Sequence, residues 1–285
     1  MIRPASNRPS APDRHGFVAA AMFFVVAMLI RFHHLDGQSL WNDEMFSIDL
    51  ARSSFPALLQ KLTTSYHHPP LFFSILHVIF RFFDDSVQAL RFVPALAGSV
   101  TVSVVYLLGR RICNNPAGIS AATLCLVSPF HLAYSQEGRP YSLAALLTLV
   151  AFFLIAEYID SQKRRRLILY MLTAIALLYT HYWGLFVVGG HVLFVLCYPL
   201  AASIKKSFFL VFLFVALAFV PVLPALLVQS SAEHAGGWWW VETPSFQEAA
   251  DVVGAYAGSS FNMASSVFQQ DPWIQLIGLI SCCAL

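Results

Sequence analysis

Long apolar runs, with the charges collected between them, constrain this chain more than any other feature. The first extends from about Gly16 to Ile30, and later ones cover about 92–109, 117–134, 141–159, 167–181, 183–200 and 207–228. A helix needs roughly 20 mostly apolar residues to cross a bilayer core about 30 Å thick, and every backbone amide must find its partner inside the segment. Charged residues make up 11% of the chain and hydrophobic ones 58%, whereas a soluble domain is about one-quarter charged. The reading is an all-α polytopic membrane protein. Cys113, Cys125, Cys197, Cys282 and Cys283 lie in or beside apolar runs without metal-ligand spacing, so neither a disulfide framework nor a zinc site follows.

The run Leu71–Phe83 decides the topology. It is short for a span, is interrupted by Arg81 and is followed by Asp84-Asp85, which suits an interfacial or re-entrant helix. Arg3, Arg8 and Arg14 precede the first run, and Arg31-Phe32-His33-His34 follows it in place of a small-residue cleavage site. The first run therefore reads as an uncleaved anchor with a cytoplasmic amino terminus. If 71–83 does not span, Arg110-Arg111, Lys163-Arg164-Arg165-Arg166 and Lys205-Lys206 all fall in the cytoplasm. If it does, all three clusters move outside, against the positive-inside rule.

The expected division is a cytoplasmic segment 1–15, a first span 16–32, an extracytoplasmic loop with juxtamembrane helices 33–90 and a six-helix bundle 91–228. An outer loop 229–271 and the start of a cut-off span 272–285 complete it. The stop at Leu285 inside an apolar run reads as a truncation.

On this topology the polar groups crowd the outer face. Leu40-Trp41-Asn42-Asp43-Glu44-Met45 holds two adjacent carboxylates beside the membrane. Asn42 can cap a short helix, which places Asp43 and Glu44 in a first turn where the macrodipole favours anions. Neighbours on a helix point about 100° apart, so only one of the two faces a given site. The rival reading is a solvated acidic cap, with Glu44 a surface acid.

The outer cations have rivals too. Arg91, at a span entrance, suits an anionic ligand or a snorkel to headgroups. Arg139 suits the same ligand or a plain pair with Glu137. Arg31 ends the first span as an interface anchor or a lipid-placing group. His67 and His68 precede Pro69-Pro70, and Tyr141, His181 and Tyr182 sit at outer span ends, where they can line a cavity. His77, His131 and His191 read as packing histidines. Asp43, Glu44 and a histidine carry donors for a divalent ion such as Mg2+ or Mn2+, without metal-ligand spacing.

The order of several short motifs resembles a known family. They are Asp43-Glu44 after the first span, His68-Pro69-Pro70-Leu71, and Leu90-Arg91-Phe92-Val93-Pro94-Ala95-Leu96-Ala97-Gly98 running on to Gly109-Arg110-Arg111. Ser128-Pro129-Phe130 and Ser135-Gln136-Glu137-Gly138-Arg139-Pro140-Tyr141 follow. Over roughly residues 30–230 the chain resembles glycosyltransferase family 39, with its C-type membrane fold. That family includes protein O-mannosyltransferases, lipid A aminoarabinose transferases and lipopolysaccharide sugar transferases.

The resemblance implies an inverting transfer from a polyprenyl-phosphate sugar to a lipid, glycan or protein acceptor. It puts the base on Asp43, with Glu44 as its orienting partner. The departing phosphate then needs cations, for which Arg139, Arg91 and Arg31 are the candidates. His67, His68, Glu137, Tyr141, His181 and Tyr182 are the expected cavity residues. The expected setting is a bacterial inner membrane with the site on the periplasmic face and no nucleic-acid partner. A transporter or lipid flippase, and an inactive fragment or subunit of such a transferase, are the alternatives.

Overall fold

A computed structural model describes residues 14–64 and 68–229 of the chain. The expected segments beyond residue 229, most of the amino-terminal one and His67 lie outside the described residues. The described residues form twelve α-helices and a short 3-10 turn, with no strand among them. They divide into two compact units, one built from 14–41 and 91–138, the other from 42–90 and 139–229. The chain is an all-α polytopic membrane protein.

In the first unit α1 (Arg14–Arg31) packs with α5 (Val87–Ile112) and α6 (Asn115–Val127) around Ala20, Ala27, Val102, Tyr106 and Ala122. Small residues let these helices approach closely, as is usual where lipid removes the hydrophobic drive between helices. A Cβ on Gly118 would lie 2.6 Å from the Tyr106 carbonyl oxygen, so only glycine fits there. Hydrogen bonds supplement the packing: Ser103 donates to the Ala20 carbonyl and Tyr106 to Asn115 Oδ1, each at 2.7 Å. Phe17, Met22, Val25 and Leu29 of α1 remain exposed, as expected for a face against lipid.

The run expected as one span over 117–134 is broken. α6 ends at Val127 and α7 (Pro129–Ser135) leaves it at 62°. Pro129 has no amide hydrogen for a continuing ladder. Ser128 turns to extended backbone and accepts from the His131 amide, so it caps the new helix.

The second unit carries α2 (Asn42–Arg52), α3 (Phe55–Thr64) and α4 (Leu71–Phe82), followed later in the chain by α8 (Tyr141–Ser161), α9 (Arg164–Thr180), α10 (Gly184–Cys197), α11 (Ala202–Phe219) and α12 (Leu223–Gln229). α9 is central and packs on α8, α10 and α11 through Tyr170, Ala174 and Leu178. His191 is buried there against the Tyr170 hydroxyl at 3.1 Å, as expected of a packing histidine. α4 turns Phe72, Phe73 and Leu76 inward and packs on α2, α3 and α9. At 12 residues it is about 18 Å long, too short to cross a bilayer core.

Among the described residues four helical stretches are long and apolar enough to cross a membrane: Arg14–Arg31, Val87–Ile112, Tyr141–Ser161 and Ala202–Val228. The bent pair α6–α7 makes a fifth when taken as one span. The expected spans 167–181 and 183–200 appear as helices of 17 and 14 residues. They end at Thr180 and Cys197, where the backbone turns extended at the C-caps His181 and Tyr198.

The closest approach in the first unit is at Gly98, where an added Cβ would collide with Ser135 Oγ and come 2.7 Å from Ser135 Cβ. Gly98→Ala is expected to cost about 1–3 kcal/mol by overpacking, read as a lowered Tm of the detergent-solubilised protein.

Candidate functional site

The second unit gathers a compact polar group at the start of α2. The structure begins this helix at Asn42 itself, with Asp43 and Glu44 in its first turn. The roughly 100° between neighbours separates the two acids sharply. Glu44 is fully buried, whereas the Asp43 side chain is 35% exposed. Glu44 is therefore not the surface acid of the rival reading. Ser47 donates back to the Asp43 carbonyl at 3.1 Å and ties the turn together.

Arg139, at the entrance to α8, reaches this turn. Its Nη2 lies 3.5 Å from Asp43 Oδ2 and its Nη1 donates to the Asp43 carbonyl at 3.2 Å. The ion pair of Arg139 is thus with Asp43, in place of the plain Glu137 pair among the expectations. His68 Nε2 stands 2.6 Å from Arg139 Nη2. A guanidinium only donates, so this nitrogen accepts and a neutral ring carries its proton on Nδ1. Arg139 is 5% exposed, and its Nε has no hydrogen-bond partner among the described residues. A buried N–H left unmet is costly.

Aromatic groups line the same place. The Tyr141 ring lies 5.9 Å from the Arg139 guanidinium carbon and 5.7 Å from the His181 ring. His68 is 5.7 Å from His181 and 5.8 Å from Phe73. His181 Nδ1 accepts from the Trp183 amide, and Tyr182 packs against the core of the unit. Asp43, His68, Arg139, Tyr141 and His181 are thus brought together.

Arg31, Arg91 and Glu137 belong to the first unit. Neither arginine reaches headgroups: Arg31 is 0% and Arg91 2% exposed. Arg91 Nη1 donates to the carbonyls of Leu35 at 2.6 Å and Gln38 at 3.2 Å, so it binds the turn after α1 rather than snorkelling. Arg31 is not an interface anchor. It donates to Ser135 Oγ and the Cys125 carbonyl, each at 3.3 Å, and meets His131 Nδ1 at 2.7 Å. Glu137 is half-buried. Among the described residues no three His, Cys, Asp or Glu side chains gather to hold a metal ion.

Two features escaped the sequence reading. Gln136 donates to the carbonyls of Arg31 and His33 at 3.2 and 2.9 Å, tying down the end of α1. Its place in Ser135-Gln136-Glu137-Gly138-Arg139 was the available signal. Ser135, the acceptor for buried Arg31, lies in the same motif.

The family described as dolichyl-phosphate-mannose-protein mannosyltransferase matches residues 67–227. The chain belongs to this family. No curated protein and no solved structure matches it. The chain is accordingly a membrane glycosyltransferase of the mannosyltransferase-like kind. The stretch matched to this mannosyltransferase family takes in His68, Arg91, Glu137, Arg139, Tyr141, His181 and Tyr182. It begins after α2, so Asp43 and Glu44 lie upstream of it, and Asp43 joins the group through Arg139.

Removing the Arg91 guanidinium would strand several buried carbonyls. Hydrogen bonds to charged groups are worth about 1.5–3 kcal/mol each. Arg91→Ala is expected to lower stability by about 2–3 kcal/mol. Amide exchange across residues 35–39 should also quicken, while the α8–α9 core amides keep their protection.

Proposed function

We propose that the protein transfers a sugar from a polyprenyl-phosphate donor to an acceptor hydroxyl, with inversion, on the periplasmic face of a bacterial inner membrane. The observation that carries this reading is the pairing of a partly exposed carboxylate, Asp43, with the buried guanidinium of Arg139, beside His68. In the proposed reaction the acceptor oxygen attacks the anomeric carbon and its proton passes to the Asp43 carboxylate. The bond from that carbon to the phosphate oxygen breaks, and its electron pair leaves with the polyprenyl phosphate. Arg139 offsets that charge with its guanidinium, the kind of pre-placed cation that serves phosphate departure.

Buried Glu44 stiffens the turn that aims Asp43. His68 keeps Arg139 oriented, and Tyr141 and His181 close the side of the site. Arg91 and Arg31 hold the backbone and helix ends of their own unit.

The same reading requires the basic loops to be cytoplasmic, with 33–90 outside. The Arg166–Glu157 pair, 3.3 Å apart, clips the turn between α8 and α9 on the expected inner side. A cysteine introduced at position 164 should resist impermeant maleimide in intact cells, whereas one at Thr63 should react. Labelling of position 164 from outside overturns the topology.

Kinetics test the site. General-base help is typically worth about 10²–10⁴-fold, so Asp43→Asn is expected to cut single-turnover transfer at least about a hundredfold while donor binding survives. Glu44→Gln should cost less in rate. Arg139→Lys should weaken donor binding by losing its planar fork, and Arg139→Ala should weaken it further. Normal turnover in Asp43→Asn removes the base from this residue. Unchanged donor affinity in both Arg139 variants removes the phosphate role.

A further inference from the structure

A cavity of about 640 Å³ opens in the second unit between the α2–α3 turn and the last turns of α4. This lies within the roughly 300–1,000 Å³ typical of small-molecule sites. We infer that it holds the headgroup of a zwitterionic phospholipid whose amine is a primary ammonium, phosphatidylethanolamine being the simplest such lipid. The site stands apart from the sugar chemistry: a lipid held here seats the juxtamembrane helices on the membrane surface.

The surroundings of the cavity point to a lipid. Along α4, His77, Phe80 and Arg81 line it, whereas Val78 and Phe82 each follow a lining residue and so fall about 100° further round the helix. That neighbouring stripe is uncovered: Val78 is exposed, Phe82 is 77% and Phe83 83% exposed. A polar stripe beside an apolar one is the form of a helix lying in the interface, with its apolar side among acyl chains. Arg81 stands between the two stripes, the place where a headgroup phosphate meets its own chains. Phe55 of α3 lines the cavity and is itself exposed, which extends the apolar rim.

The charges of the wall select the headgroup. Arg52 and Asp85 form an ion pair at 2.6 Å, with both guanidinium contacts on Oδ2. Asp84 Oδ1 accepts from the Ser86 hydroxyl at 2.6 Å and from its amide at 3.2 Å, and these bonds hold the carboxyl below its usual range. Each carboxylate thus keeps one oxygen with no hydrogen bond from the described residues. Arg81 is exposed and has no ion-pair partner among the described residues. His77 adds an acceptor: its Nδ1 lies 2.9 Å from the Ala51 carbonyl, which only accepts, so Nε2 of the neutral ring keeps a lone pair.

Two arginines and two aspartates leave this lining without net charge, so a ligand that is simply anionic or cationic gains little from it. A zwitterion brings a matched pair. Its phosphate meets the Arg81 guanidinium, and its ammonium meets the open oxygens of Asp84 and Asp85 and the His77 lone pair, through charge-assisted hydrogen bonds. A primary ammonium carries three N–H donors for these acceptors, whereas a trimethylated choline carries none. A glycerol headgroup keeps the phosphate but brings no cation to the carboxylates. Ethanolamine is the headgroup that answers both halves of the wall.

Native mass spectrometry of the full chain in detergent provides the test. The probes, added at equal concentration, are dioleoyl phosphatidylethanolamine, phosphatidylcholine and phosphatidylglycerol, with water-soluble phosphoethanolamine as the headgroup without chains. Phosphatidylethanolamine should bind about tenfold more tightly than either other lipid, the discrimination expected from one charge-assisted contact. Arg81→Ala should weaken it by about the same factor, and Arg81→Lys should restore most of the loss. Arg81 is exposed and unpaired among the described residues, so its variants keep the fold. Asp84→Asn retains the acceptor used by Ser86; it should weaken phosphatidylethanolamine and strengthen phosphatidylglycerol, a crossover that a loosened fold does not produce. Equal binding of phosphatidylethanolamine and phosphatidylcholine overturns the inference, as does binding unchanged in both Arg81→Ala and Asp84→Asn. Displacement of the lipid by an equal concentration of phosphoethanolamine overturns the assignment to a lipid.

Discussion

An arginine taken out of water obliges the surrounding chain to bring acceptors to it, and three such residues organise this protein. Arg31 draws in the Cys125 carbonyl, His131 and Ser135; Arg91 draws in the carbonyls of Leu35 and Gln38; Arg139 draws in both the carbonyl and the carboxylate of Asp43. Each guanidinium joins stretches distant in sequence, so irregular backbone between apolar helices acquires one conformation. The cost of leaving a buried polar group unmet makes these links obligatory rather than decorative. A lysine in any of these places offers a point charge in place of a planar fork and cannot hold two or three acceptors in the same geometry.

How much of this could be read from the residues depends on which forces set each element. The helix at Asn42, with its acids in the first turn, follows from local chemistry and was legible. So was the short α4, since Arg81 and the aspartates bound its apolar run. The break at Ser128-Pro129 is a local signal as well, but the hydropathy of 117–134 is continuous across it and masked the bend. Burial of Glu44 and Arg91 was not legible. It depends on which face of a helix or turn is covered by chain far away in sequence, and no periodicity records that. The same holds for the partner of Arg139. Glu137 is its neighbour in sequence, whereas Asp43 stands 96 residues away.

The lipid environment explains the distribution of apolar surface. α11 leaves Phe209, Leu213, Phe214 and Leu217 uncovered while Phe208, Val211 and Val215 pack inward. In water such a face would drive association; against acyl chains it costs nothing. Specificity of packing then has to come from small residues, aromatic edges and hydrogen bonds. Gly98 against Ser135, Gly118 against Tyr106 and the Tyr170–His191 contact supply it.

The division of labour between Asp43 and Glu44 is a consequence of helix geometry. Two identical functional groups, adjacent in sequence and close in intrinsic acidity, are turned about 100° apart by the first turn of α2. One is sealed inside the unit; the other keeps a third of its surface open and meets a guanidinium. Exchanging the two residue types would leave that division in place, because it belongs to the positions.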